Sequence, residues 1–336
     1  MRYCRTMKYT LLCAVVILAA CAKATPLPPS PPPVPAVENT PLQQVTPELS
    51  IDSLANMRLI GSGLTLVSVL DDNSVYTRHE IRYISNGLII SGIMNIPKGE
   101  GPFPLLILNH GYIDPEVYTI GRGLRREQDY LARHGFTVLH TDYRKHGASD
   151  PSPDIRDTYD AGLEYAMDSI NAIHAVRQNP PPGIDASSVG MMGHSMGGGV
   201  SLNIATAYPE LVDAFVLYAP VHGDAWENYN RWRRDRESTD RTTETLGTRE
   251  SNPEAWDVLS SKTYFGRITA PILLFQGTRN KDVPFEWSDT LDAELTQLGL
   301  RHEYVRYEGA GHEFGSQWGD FIERTAAFFD EALQTL

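Results

Sequence analysis

Val189-Gly190-Met191-Met192-Gly193-His194-Ser195-Met196-Gly197-Gly198-Gly199 is the stretch on which the fold turns. Its first four residues form a short apolar run suited to a buried strand, and Met196 to Ala207 reads as a helix. A serine caught between the two in G-x-S-x-G is a weak signal alone and a strong one in this strand-to-helix setting. The reason is steric: the bend is so tight that positions two before and two after the serine must lack side chains, which Gly193 and Gly197 satisfy. The helix then starts close beneath the hydroxyl, where its positive end favours a developing oxyanion.

A serine hydroxyl is a poor nucleophile until a base takes its proton. Of the ten histidines, His312 is best placed, in Gly309-Ala310-Gly311-His312-Glu313-Phe314 between the last expected strand and the final helix. His194 lies inside the bend, His79 and His302 in or beside strands, and His174 on a helix, where a hydrogen-bonded structural role is the ordinary one. Oxyanion donors are expected from the N–H of Met196 and from that of Tyr112, which follows Leu108-Asn109-His110-Gly111.

Outward from this centre the chain alternates. Leu64 to Leu70, Thr77 to Ser85 and Leu88 to Ile96 read as an antiparallel opening, with Ser85-Asn86-Gly87 as a hairpin turn. Short apolar runs suited to parallel strands follow at 105–108, 136–141, 189–192, 214–218, 272–275 and 303–307. Helical stretches lie between and after them at 124–133, 159–176, 196–207, 286–298 and 321–333. Alternation of this kind specifies a mainly parallel sheet covered on both faces, an α/β architecture. Asp224 to Glu250 breaks the rhythm, dense in charge and carrying Trp226, Tyr229 and Trp232. It reads as a helical insertion, with the chain rejoining the core near residue 262, and both a lid and a solvated excursion are open readings.

The ordered set Gly101-Pro102-Phe103-Pro104, His110-Gly111, Asp142-Tyr143-Arg144-Lys145-His146-Gly147-Ala148-Ser149, Gly193-His194-Ser195-Met196-Gly197, Gly277-Thr278 and Gly311-His312 resembles α/β-hydrolases. Within them the chain is most similar to the prolyl oligopeptidase-like and cinnamoyl-esterase-like group. The resemblance covers roughly residues 85–335. It implies the α/β-hydrolase fold with an eight-stranded, mostly parallel sheet, a Ser, acid, His triad and no cofactor. The body is too short to hold the β-propeller of full oligopeptidases of that group.

The acid departs from the pattern. The group carries Gly-Thr-x-Asp-x-x-Val-Pro, and here Gly277-Thr278-Arg279-Asn280-Lys281-Asp282-Val283-Pro284 has an amide in the acid's place. An amide can accept the imidazole Nδ1 proton but lacks the charge that stabilises imidazolium. Asp282 is the leading candidate for the acid if the turn is reshaped. Asp224, past the preceding core strand, and Asn280 itself are the alternatives.

Composition bounds the partners. Lys and Arg number 29 against 42 Asp and Glu, a net charge of −13 over 336 residues, which disfavours nucleic acid. Cys4, Cys13 and Cys21 all precede residue 22, so the body has no disulfide framework or cysteine-ligated metal. Arg2, Arg5 and Lys8 precede an apolar run from Leu11 to Ala20, the form of a signal peptide over residues 1–20. Leu18-Ala19-Ala20-Cys21 resembles a bacterial lipobox, which implies lipidation of Cys21; a plain secretory signal is the alternative. Residues 21–50 then read as a proline-rich tether, and 51–336 as the catalytic domain. The whole describes an extracytoplasmic serine hydrolase, membrane-associated only through its lipid, that acts on a small acyl ester or a peptide without metal or cofactor. A hydrolase fold that has become a ligand-binding protein is the rival reading.

Overall fold

The computed structural model describes residues 48–152, 159–233 and 241–334. The expected signal peptide, Cys21 and most of the tether lie outside the described residues. The chain separates into Met1–Gln43 and Gln44–Leu336, and everything described falls in the second unit.

In chain order the elements are α1 (Ile51–Asn56), β1 (Gly61–Asp72), β2 (Tyr76–Ser85), β3 (Leu88–Pro97), β4 (Phe103–Asn109), α2 (Arg125–Arg133), β5 (Thr137–Thr141), α3 (Leu163–Gln178), β6 (Ile184–His194) and α4 (Met196–Ala207). They continue as β7 (Ala214–Tyr218), α5 (Ala225–Trp232), α6 (Thr242–Leu246), α7 (Pro253–Leu259), β8 (Ile272–Gly277), α8 (Phe285–Gln297), β9 (His302–Tyr307) and α9 (Trp318–Gln334). Among the described residues one nine-stranded sheet forms, in the order β1-β2-β3-β5-β4-β6-β7-β8-β9. The pairs β1/β2, β2/β3 and β3/β5 are antiparallel, and from β5 to β9 all neighbours are parallel. The family-derived expectation of eight strands is therefore one short, since the opening antiparallel segment contributes three.

Continuous apolar runs form the central strands because both sheet faces are covered. Leu105 and Ile107 of β4 point into a core with α1, α3 and α4, while Leu106 and Leu108 point into a second core with α2 and α9. Strand β8 divides likewise, Ile272 and Leu274 to the first and Leu273 and Phe275 to the second. Each such side chain withdrawn from water stabilises the fold by about 1.5–3 kcal/mol. Gly190, in the middle of β6, has a specific cause: a Cβ there would lie 2.6 Å from Leu106 Cδ2 and 2.8 Å from the Phe329 ring. The bulk of α9 thus fills the space above the strand that carries the serine bend.

Helix α3 begins at Leu163, four residues later than the apolar pattern suggests. Ala161 and Gly162 both adopt positive φ, 55° and 77°, which no helix can include. Helix α1, absent from the expected elements, is a single short turn started by reciprocal capping between Ser50 and Ser53. The expected insertion is made of α5, α6 and α7 between β7 and β8.

Candidate active site

Ser195 sits at the junction of β6 and α4 with φ 56° and ψ −120°. A non-glycine residue reaches this region only when its surroundings hold it there, at a cost of about 1–3 kcal/mol. The hold is main-chain: Ser195 N donates to Tyr218 O at 2.9 Å, and its carbonyl accepts from Gly198 N at 2.9 Å and Val221 N at 3.1 Å. A Cβ on Gly193 would collide with the Gly197 carbonyl, and one on Gly197 with the Asn109 carbonyl. The bend therefore closes against β4, whose exit leads to Tyr112. Gly111 packs there so tightly that an added Cβ would be 3.2 Å from Ser195 Cβ.

Ser195, Met196, Tyr112 and His312 all line one cavity of about 730 Å³. The expected nucleophile, base and oxyanion donors are thus brought together. His110, beneath the oxyanion loop, donates from Nδ1 to Gly111 O at 2.7 Å and packs between Tyr118, Tyr143 and His140. Burial lowers its pKa to about 4, so the ring is neutral.

His194, set aside on sequence as structural, has a specific task. Its Nε2 donates to the His312 carbonyl at 3.4 Å, and the two rings lie 4.5 Å apart. Burial, with His312 as a secondary influence, lowers its pKa to about 3. Two residues of the bend thus face the site, Ser195 as the expected nucleophile and its neighbour as a tie to the His312 loop. The signal for this was present in the adjacency of His194 to Ser195.

Asn280 is the residue against His312, with Nδ2 at 2.9 Å from Nδ1. Neither Asp282 nor Asp224 holds this position. Asp282 is exposed at the cavity wall, and its main-chain N–H donates to Asn280 Oδ1. Asp224 caps α5 by accepting from Trp226 N at 2.9 Å and lies 3.8 Å from Arg249 Nη2. The expectation that Asp282 reaches His312 is corrected by the turn itself, which points residue 280 at the ring.

The Asn280 amide has one orientation. Its Oδ1 accepts from Asp282 N and Val283 N, both at 3.0 Å, while Nδ2 donates to Gln276 Oε1 at 3.0 Å. The Gln276 amide is oriented in turn, because Oε1 also accepts from Gly277 N at 3.0 Å. Turning Asn280 over would set NH2 against two main-chain N–H groups and oxygen against oxygen. Each buried bond lost in this way costs about 1–3 kcal/mol, more than one bond to His312 returns. Burial lowers the His312 pKa, and the charges of Asp282 and Glu313 oppose that shift.

The insertion both lines the cavity and braces it. Trp232 lines the cavity along with Tyr159 and Tyr165, whereas Trp226 and Tyr229 pack inward on Trp256. Arg231 grips the turn after β8, donating from Nε to Asp282 O at 2.8 Å and from Nη2 to Lys281 O at 2.9 Å. Below the oxyanion loop, Asp142 accepts from Ser91 Oγ, Tyr118 Oη and Gly121 N, and Arg144 makes a two-pronged bond to Asp168. These two members of the Asp142–Ser149 stretch brace loops and do not enter the cavity. Among the described residues, no group of three His, Cys, Asp or Glu is arranged to hold a metal ion.

The Prolyl oligopeptidase family profile matches residues 123–335, well over half of the sequence. The chain belongs to that family. Its α/β-hydrolase fold and its serine, glycine and histidine framework make it a serine hydrolase. The chain is 25% identical over 237 residues to the uncharacterized peptidase YtmA of Bacillus subtilis (strain 168), a match that covers 70% of this chain and 86% of that protein. It is 30% identical over 183 residues to cutinase est2 of Thermobifida alba, covering 54% of this chain and 52% of that one. Acylaminoacyl peptidase of Pyrococcus horikoshii superposes with a TM-score of 0.63 at 18% identity, over 77% of this chain and 42% of the other. The chain thus spans about half of the cutinase and less than half of the archaeal enzyme.

Proposed function

We propose that the chain is an extracytoplasmic hydrolase of carboxylic esters that forms an acyl-enzyme on Ser195. The observation that carries this reading is the strained Ser195 opening onto the same cavity as His312, Met196 and Tyr112. In the acylation step Oγ attacks the ester carbonyl and His312, in the tautomer that leaves Nε2 bare, takes its proton on that nitrogen. The C–O bond to the alcohol then breaks as the same proton passes to the leaving oxygen. Water, deprotonated by His312, next attacks the acyl carbon and releases the acid and free Ser195. The N–H groups of Met196 and Tyr112 stabilise each oxyanion.

Esters are favoured over peptides because, of the carboxylates that line the cavity among the described residues, Glu127, Glu313 and Asp160 already have partners, Asp160 accepting from Gly162 N and Glu164 N. Glu127 already accepts from Trp318 Nε1 at 2.6 Å, and Glu313 lies 3.7 Å from Arg126 Nη2. The aromatic walls from Tyr159, Tyr165 and Trp232 suit an acyl group or a sugar ring. Ser195→Ala is expected to cut turnover of a p-nitrophenyl ester by about 10³-fold or more, and full retention would refute the reading.

A second reading, a ligand-binding protein on a hydrolase fold, is favoured by Asn280 in the acid's position. Covalent labelling of Ser195 by a fluorophosphonate supports the enzyme, and absence of labelling supports the binder. Attachment to the cell envelope through Cys21 rests on the sequence alone; loss of membrane association in Cys21→Ser is its test.

A further inference from the structure

We propose that Gln276 and Asn280 form a matched amide pair that holds His312 in the tautomer with its proton on Nε2, so that the resting base presents a donor to Ser195. The catalytic consequence rests on the ester-hydrolase reading, and the tautomer does not. Three main-chain N–H groups carry the inference. Gly277 N orients Gln276 Oε1, and Asp282 N and Val283 N orient Asn280 Oδ1. Both hydrogens of the Asn280 amide are thereby spent, one on Gln276 Oε1 and one on His312 Nδ1.

The pair is matched because Gln276 demands a donor at position 280. A carboxylate there would set one oxygen against Oε1, and Gln276 is fully buried at the end of β8, where water cannot relieve the repulsion. Its own Nε2 has no hydrogen-bond partner among the described residues, so the oxygen-in orientation is kept by the Gly277 N–H and the Asn280 amide alone. Asn280 is therefore fitted to its surroundings and is more than an acid lost from an otherwise unchanged site. Gln276 and Asn280 act through His312 and are positioning residues. Ser195 can transfer its proton only when Nε2 is bare, which requires the Nδ1–H tautomer that the Asn280 donor opposes. The expected signature is a low kcat with an ordinary KM.

The first test reads the ring directly. In the folded chain labelled with ¹⁵N-histidine, above the His312 titration, Nε2 is expected to show a protonated nitrogen shift and Nδ1 an unprotonated one, assigned by their loss in His312→Gln. A protonated Nδ1 overturns the proposal. The second test is a cycle on p-nitrophenyl acetate. Asn280→Asp is expected to move the proton to Nδ1 and raise kcat by about 10-fold, held back by the facing Gln276 oxygen. Adding Gln276→Met, which removes that oxygen, is expected to bring the gain to about 100-fold or more with KM within about twofold, whereas Gln276→Met alone gains nothing. A gain of the same size for Asn280→Asp in both backgrounds overturns the coupling, and a fall in both overturns the catalytic consequence of the tautomer. Failure of the ester reading is seen separately, as turnover that survives Ser195→Ala, and leaves the nitrogen shifts to decide the tautomer.

Discussion

Ser195 is held by main chain, whereas His312 is held by side-chain amides and a neighbouring ring. On the serine side, the bend is shaped by glycines whose missing Cβ atoms make room for the carbonyls of Asn109 and Gly197. On the histidine side, Gln276 and Asn280 set the polarity of the bond to Nδ1, and His194 ties down the loop from behind. The first arrangement tolerates no substitution at the glycines but is indifferent to protons. The second tolerates exchange of side chains and changes its chemistry with each one. Shape and proton placement are thus controlled from opposite sides of one cavity.

The sharpest way to break this contrast is Gly197→Ala. Its new Cβ would meet the Asn109 carbonyl, so a loss of more than about 3 kcal/mol in stability and abolished turnover are expected by thermal melting and ester assay. A soluble, fully active variant would show that the bend is not sterically controlled. A second test uses acid. His110 lies beneath the oxyanion loop and His194 ties down the His312 loop, and burial lowers them to about 4 and about 3, from 6.5 when unfolded. Because the folded values lie below the unfolded one, their contribution is complete above pH 6.5 and is lost as pH falls from there. At pH 5 each would weaken the fold by about 2 kcal/mol, lowering Tm by roughly 10 °C in total relative to pH 8. A flat Tm across that range would mean that these rings are solvated. The smallest effect concerns His312, whose depressed pKa is partly offset by Glu313. Glu313→Gln removes the offset, and the acid limb of kcat/KM is expected to move a few tenths of a pH unit lower. A move to higher pH would reverse the assigned sign.

This contrast also explains what was legible beforehand. Gly193, Ser195 and Gly197 announce themselves because a steric requirement can be met by only one residue type at each spacing. The bounds expected for α4, Met196 to Ala207, agree with those observed. His312 is legible for a related reason, since its loop and place in the strand order leave few rivals. The partner of His312 was legible only as one of three alternatives, with Asp282 ahead of Asn280, the residue found there. Sequence shows that residue 280 is Asn and that an acid lies two places on. The direction in which the turn aims them depends on the N–H groups of residues 282 and 283, which carry no letter of their own. Gln276 gave no warning either, because a buried amide at a strand end resembles any polar residue in a run such as Ile272–Gly277. The insertion was half legible: its aromatics were conspicuous, but only packing separates Trp232, on the cavity, from Trp226 and Tyr229, against Trp256.

Arg231 binds the turn by its carbonyl oxygens at 281 and 282 and ignores what those residues are. Every amino acid offers the same oxygen there, so the letters at both places can drift while the clasp persists. Lys281 and Asp282 are therefore natural sites for retuning the charge at the cavity mouth, by evolution or by engineering, without loosening the wall that holds it.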